Sequence, residues 1–197
     1  MITLALFASG SGTNVENIVR YFDKSTEIKI VGVFSNNSRA YVLERASKLG
    51  IPTFVFSRHE FHETTNVIQL LQTCDAGWII LAGFLWLIPE NLIARFPGRI
   101  VNIHPALLPK YGGKGMYGMR VHQTVIENGD KESGITIHHV NSEYDRGDII
   151  FQARCPVMPD DTAEILAQRV HKLEYEHYPR VIEKLVVISH SAKPSDF

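Results

Sequence analysis

Only two cysteines, Cys74 and Cys155, occur in 197 residues, and neither sits in a Cys-x-x-Cys spacing. That usage fits a reducing compartment and offers no structural zinc site. Charge imbalance is also missing: 20 Lys and Arg against 21 Asp and Glu leave a net charge of −1. Proteins that grip nucleic acid through its phosphates carry a basic surplus, so no nucleic-acid partner is expected. Long apolar runs are absent too. The longest, residues 78–88, contains Gly83 and is too short to cross a bilayer, so no membrane partner is expected. The opening Met1-Ile2-Thr3-Leu4 shows no basic segment and no small-residue cleavage site, which reads as no signal peptide and a cytoplasmic location. The remaining composition, 45% hydrophobic and 21% charged, suits a single soluble domain over 1–197 with a sizeable core.

The stretch from Ile100 to Pro109 organises the chain. Ile100, Val101 and Ile103 are β-branched and apolar, as buried parallel strands are. Pro105 cannot donate to a sheet ladder, so pairing is expected to end there. Asn102 and His104 are two residues apart and share one side of the strand, at its carboxyl end. In open α/β sheets that is where ligands bind. The plainer alternative is that the two side chains tie down a loop.

Before this stretch, apolar runs alternate with helical patterns. Ile2–Ala8 reads as a strand ending in the turn Ser9-Gly10-Ser11-Gly12-Thr13-Asn14, then a helix with Val15, Ile18, Val19 and Phe22 on one face. A strand, a glycine-rich turn and a helix make a phosphate site, with Thr13 or Asn14 as the helix cap. The turn lacks the full Gly-x-Gly-x-x-Gly spacing and the Gly-Lys-Ser/Thr ending, which favours a phosphate monoester over a dinucleotide or a P-loop nucleotide. Strands follow over 28–34, 52–56 and 77–82, with helices over 41–49 (closed by Gly50) and 61–73. This alternation implies an α/β, Rossmann-like, doubly wound and mostly parallel sheet. Residues 83–89 form an apolar loop before a short helix over 90–95, either a buried connection or the wall of a pocket for a flat ligand.

After Pro109, residues 110–118 hold four glycines, a mobile loop suited to a lid or clamp. A helix over 120–128 is capped by Gly129, and 133–140 alternates as a strand. Adjacent His138 and His139 face opposite sides, so they do not share a metal; one is expected to pack and one to be solvated. An acidic turn over 141–148 precedes an antiparallel strand over 149–155. Asp160-Asp161-Thr162 starts a long helix that Pro179 kinks or breaks, and the tail 189–197 reads as frayed.

Together, Asn102-Ile103-His104-Pro105-Ala106-Leu107-Leu108-Pro109, the Asp145 turn, the Ser9–Asn14 turn, Ala82-Gly83-Phe84 and Glu127-Asn128-Gly129 resemble the 10-formyltetrahydrofolate-dependent formyltransferase family over nearly the whole chain. The resemblance implies the formyltransferase fold, with an antiparallel C-terminal strand. It also implies formyl transfer from 10-formyltetrahydrofolate to the amine of glycinamide ribonucleotide, in purine synthesis, by a monomer or homodimer without a metal. Carried over by position, it implies that Asn102, His104 and Asp145 are catalytic and that the Gly12, Thr13 and Asn14 backbone holds the phosphate. It gives Glu174 to the glycinamide or ribose end of the acceptor. Folate falls to Leu85, Trp86, Leu87 and Ile88 around the pterin, with Asn102 and the loop Asn141, Ser142, Glu143, Tyr144 and Asp145. The departures are Trp86 and Thr64 where arginines are common, a longer Gly112–Gly118 loop, and Arg120 in place of a histidine; either another cation such as Arg58 meets the folate tail, or the tail is loosely held.

The chemistry of this set is independent of the resemblance. An amine attacking a formyl carbon develops negative charge on oxygen, which needs donors already in place. Asn102 supplies an amide N–H and a protonated His104 a charged one. A free histidine is mostly neutral at pH 7, and a carboxylate such as Asp145 is expected to raise its pKa and to take or relay the amine's proton. The alternatives are a formyltetrahydrofolate hydrolase, a sugar-nucleotide formyltransferase, or a non-catalytic nucleotide-sensing module. A tRNA-directed member would need a further domain and a basic surface.

Overall fold

The structure is a computed structural model that describes residues 1–191. It contains two compact units, Met1–Phe84 with the chain from Tyr178 onward, and Leu85–His177. The first unit opens with β1 (Ile2–Phe7), α1 (Thr13–Phe22), β2 (Ile28–Ser35), α2 (Tyr41–Lys48) and β3 (Thr53–Val55). It continues with α3 (Arg58–His62), α4 (Asn66–Thr73) and β4 (Trp78–Leu81). Its strands run in the order β3-β2-β1-β4, and every pairing among them is parallel. Parallel neighbours joined through helices are the doubly wound arrangement expected from the alternating pattern. The order reverses between β1 and β4, so the ends of these two strands form the switch point at which such sheets bind ligands. There Ser9 donates its backbone N–H to the Gly83 carbonyl at 3.0 Å, tying the two loops together.

The helices bury the faces their spacing marks. Val15, Ile18, Val19 and Phe22 of α1 are all buried. A cluster of phenylalanines backs the strand ends: Phe7 stacks on Phe34 at 4.9 Å between centroids, Phe34 on Phe54 at 4.6 Å and Phe56 on Phe61 at 5.1 Å. Phe84 meets Phe7 and Phe61 edge-on, both at 5.4 Å. Aromatic pairs contribute about 0.5–1.5 kcal/mol beyond area burial, so this cluster firmly anchors the end of β4.

The second unit carries α5 (Glu90–Arg95), β5 (Ile100–His104), α6 (Met119–Glu127), β6 (Glu132–His139) and β7 (Ile149–Pro156). Both the β5–β6 and the β6–β7 pairings are antiparallel. The last helix, α7 (Ala163–Ser191), belongs partly to each unit.

Three local expectations are corrected. The single helix read over 61–73 is two helices. Ser57 starts α3 with a capping box to Glu60, and Thr64 breaks the run by donating to the Glu60 carbonyl and accepting from the Asn66 N–H. Pro179 does not break the last helix, which continues to Ser191. A proline inside a helix costs about 3 kcal/mol. Here it is offset by fully buried Tyr178, Ile182 and Val186, and by the Tyr178 hydroxyl donating to the Leu81 carbonyl at 2.9 Å. The tail read as frayed from residue 189 is helical over residues 189–191; residues 192–197 lie outside the described residues.

Candidate active site

The catalytic candidates come together inside the second unit. β5 ends at His104, and antiparallel pairing sets Asn102 directly opposite His138 on β6. Asn102 Nδ2 lies 3.1 Å from His138 Nε2. His104 Nδ1 is 3.5 Å from Asp145 Oδ2, and His138 Nε2 is 3.6 Å from Asp145 Oδ1. Asp145 arrives from the turn after β6. It adopts φ +54°, and Gly147 lets the turn close on β6, since a Cβ there would sit 1.7 Å from the His139 carbonyl oxygen. Asn102, His104 and Asp145 therefore form one cluster, and His138 is its fourth member. The expectation that one histidine of the pair packs holds for His138, which is buried; its place among the polar groups depends on the strand register, which alternation alone does not reveal.

Hydrogen-bond logic assigns the protons. A carbonyl oxygen only accepts, so His104 Nε2, 2.7 Å from the Tyr111 carbonyl, carries the proton. His104 Nδ1 then faces Asp145. His138 Nδ1 lies 2.8 Å from the His139 carbonyl and carries its proton by the same rule, leaving Nε2 to accept from Asn102. The Asn102 amide is thereby oriented, with a second N–H to offer.

His104 is only 4% exposed. Burial pulls its pKa below the ordinary value, and this outweighs the upward pull of Asp145 and of the Tyr111 carbonyl. The expectation that Asp145 holds His104 protonated is corrected: the carboxylate pushes in that direction, but desolvation wins. Burial opposes the charge of Asp145 as well, yet the neighbouring His138, the His104 ring and the Gly113 N–H hold its carboxyl below the usual range. The cluster is thus a neutral imidazole facing an ionised carboxylate.

The turn after β5 is held by one buried hydroxyl. Thr136 Oγ1 donates to the Ala106 carbonyl at 2.7 Å and accepts from the Leu108 N–H and the Gln152 amide, each at 2.9 Å. Gln152 also donates to the Leu108 carbonyl at 3.0 Å. No sequence signal marks this residue beyond its inward place on an alternating strand.

Nearby, Glu174 on α7 is 4% exposed and accepts from His171 Nδ1 at 2.8 Å. The charge of Glu174 reaches both His104 and His122. Among the folate candidates, Leu85 is 43% exposed, Trp86 and Leu87 are half-buried and Ile88 is buried. In the loop, Asn141 Oδ1 accepts from the Glu143 N–H at 3.0 Å, while Ser142 and Glu143 are exposed and Tyr144 half-buried.

The phosphate candidates lie in the first unit. α1 begins at Gly12, with φ +74°, where a Cβ would meet Val42 Cγ2 at 2.3 Å. The cap is this glycine, and neither Thr13 nor Asn14 caps the helix by its side chain. The first amides of a helix lack internal acceptors, so the Thr13 and Asn14 N–H groups suit an anion. Arg45 holds the turn by donating to the Ser11 carbonyl at 2.9 Å and pairing with Glu16. Thr64, at a position where the resemblance leads one to expect an arginine, is consumed in the break between α3 and α4.

Residues 2–182 match the formyl transferase family. The chain belongs to that family. It is 40% identical over 185 residues to the chloroplastic phosphoribosylglycinamide formyltransferase of Arabidopsis thaliana, a match covering 91% of this chain and 63% of that one. Against the phosphoribosylglycinamide formyltransferase of Haemophilus influenzae it is 39% identical over 188 residues, covering 93% and 86%. A crystal structure of phosphoribosylglycinamide formyltransferase from Anaplasma phagocytophilum superimposes with a TM-score of 0.85 at 34% identity, covering 96% of this chain and 87% of that one. The formyltransferase fold read from the resemblance is borne out. No group of three His, Cys, Asp or Glu among the described residues is placed to hold a metal, and none of the described helices is long and apolar enough to cross a membrane.

Proposed function

We propose that this formyltransferase moves the formyl group of 10-formyltetrahydrofolate to the amine of glycinamide ribonucleotide, in purine biosynthesis. The observation that carries the reading is the cluster of Asn102, His104, His138 and Asp145 at the end of β5. In the reaction a bond forms between the acceptor's amine and the formyl carbon, the bond from that carbon to folate N10 breaks, and the proton lost by the amine ends on N10 of the tetrahydrofolate product. The Asn102 amide donates to the formyl oxygen as it gains charge. His104 Nδ1 and Asp145 Oδ2 lie 3.5 Å apart and form a slot in which the departing proton is held. His104 need not be a cation beforehand; charge growing on the substrate oxygen supplies the field that burial withholds. The Thr13 and Asn14 amides take the phosphate, Glu174 the glycinamide or ribose end, and Leu85–Ile88 with Asn141–Asp145 the folate.

Absorbance of the tetrahydrofolate product tests this, with and without glycinamide ribonucleotide. Product only in the presence of the ribonucleotide supports the reading. Product without it marks a hydrolase, and no product in either case points to another acceptor; both overturn the proposal. His104→Ala should leave the fold intact by circular dichroism and cut turnover by roughly 10²–10³-fold or more.

A further inference from the structure

We infer that Tyr111 is a positioning residue, whose anchored phenol holds the segment that fixes the proton on His104 and grips Asp145. The segment supplies the Tyr111 carbonyl to His104 Nε2 at 2.7 Å and the Gly113 N–H to Asp145 Oδ2 at 2.9 Å. Two backbone groups, two residues apart, thus hold both members of the proton slot. Gly112 between them has no room for a side chain, since a Cβ would lie 2.6 Å from Leu108 Cδ2 and 3.2 Å from Asp145 Cβ.

Residues 111–113 belong to no helix or strand, and Tyr111 sits at φ +58°, where a residue with a side chain is strained. Something must hold it there. The phenol donates to Asp130 Oδ2 at 2.8 Å and accepts from Asn128 Nδ2 at 2.9 Å. Lys110 Nζ meets both Asp130 oxygens, at 3.0 and 2.9 Å. The Lys110 bond, then the phenol, keep the Asp130 carboxyl below the usual range, so a charged acceptor faces the phenol at neutral pH. Asn128 and Asp130 flank Gly129, whose φ of +64° turns the chain off the end of α6, with its N–H bonded to the Ile126 carbonyl at 3.0 Å. The Asn128-Gly129 turn, read in the sequence as a helix cap and as part of the resemblance, acquires a further task. It fastens the phenol to a rigid helix end and, through it, the catalytic pair.

This rests on the proposed reaction, so its test has a readout independent of turnover. Tyr111→Phe removes the phenol oxygen alone, and Asp130→Asn keeps a neutral acceptor. Steady-state kinetics and ¹⁵N NMR of the His104 ring are measured for both and for the unaltered enzyme. In Tyr111→Phe, kcat should fall about tenfold or more, since displacements near 1 Å can cost up to about 10²-fold. Both KM values should stay within about twofold, and the His104 signals should leave the pure Nε2–H tautomer for a mixture. Asp130→Asn should fall between. An unchanged tautomer overturns the inference, whatever kcat does. So does an unchanged kcat, or an effect confined to KM. If the unaltered enzyme formylates no glycinamide ribonucleotide, the proposed reaction fails while the tautomer comparison still decides whether Tyr111 sets His104.

Discussion

His122 gives the protein a measurable weakness to acid. It lies on α6, 2% exposed, and its Nδ1 has no hydrogen-bond partner among the described residues. Burial and then the nearby His171 charge pull its pKa down to about 4, against an upward pull from Glu174. The unfolded chain titrates this histidine near 6.5, so the folded state favours the neutral form. The stability contribution is therefore complete above pH 6.5 and is lost as pH falls through the interval down to about 4. At about 1.36 kcal/mol per tenfold change in proton affinity, the whole interval amounts to about 3 kcal/mol, of which about 2 kcal/mol falls between pH 7 and 4.5. His122→Leu removes the titration and the orphaned nitrogen while keeping an apolar side chain in the site. Urea unfolding of both proteins at pH 7 and 4.5 isolates the effect, because His104 and His139, also held low by burial, are common to both. The unaltered protein should lose about 2 kcal/mol more than the variant between the two pH values. Parallel losses in both proteins would refute the reasoning, showing that water reaches the ring on protonation.

Asp145→Asn should cut turnover and lower the NMR titration midpoint of His104 still further, since the carboxylate is what pushes that midpoint up; an unmoved midpoint would make Asp145 structural. Thr136→Val strands the buried Leu108 N–H, and unfolding in urea should show a loss of about 1–3 kcal/mol, accompanied by slower turnover because the turn after His104 loosens. Gly12→Ala forces a Cβ against Val42 at a left-handed φ, so a raised KM for the ribonucleotide should appear, with little change in the KM for formylfolate.

The parts of this chain that were legible from sequence are those governed by local periodicity. The β5 strand, its end at Pro105 and the shared side of Asn102 and His104 follow from alternation and from proline's missing donor. The buried face of α1 follows from helical spacing. What stayed hidden required either register or burial. His138 joins the cluster because β6 pairs antiparallel with β5 in the register that sets it opposite Asn102. The break at Thr64 depends on its hydroxyl satisfying both helix ends, a choice that an apolar pattern running through Phe61, Val67 and Leu71 conceals. The continuity of α7 through Pro179 is a tertiary override, in which packing outweighs a local penalty.

The charge state of His104 shows how far such reasoning reaches. From sequence, a carboxylate beside an imidazole argues for a cation, because each neighbour is judged as though in water. In the folded protein the same Asp145 lies 3.5 Å away, yet the ring's burial is the larger effect and the neutral form prevails. The consequence for catalysis is specific. A preformed imidazolium paired with Asp145 would spend its charge on the carboxylate in the ground state as well as in the transition state. In the proposed reaction, a neutral ring beside an ionised carboxylate takes up a proton only as the amine releases one, so the stabilisation is concentrated where the reaction needs it. Two carbonyls, from Tyr111 and His139, keep the two rings in the tautomers this requires.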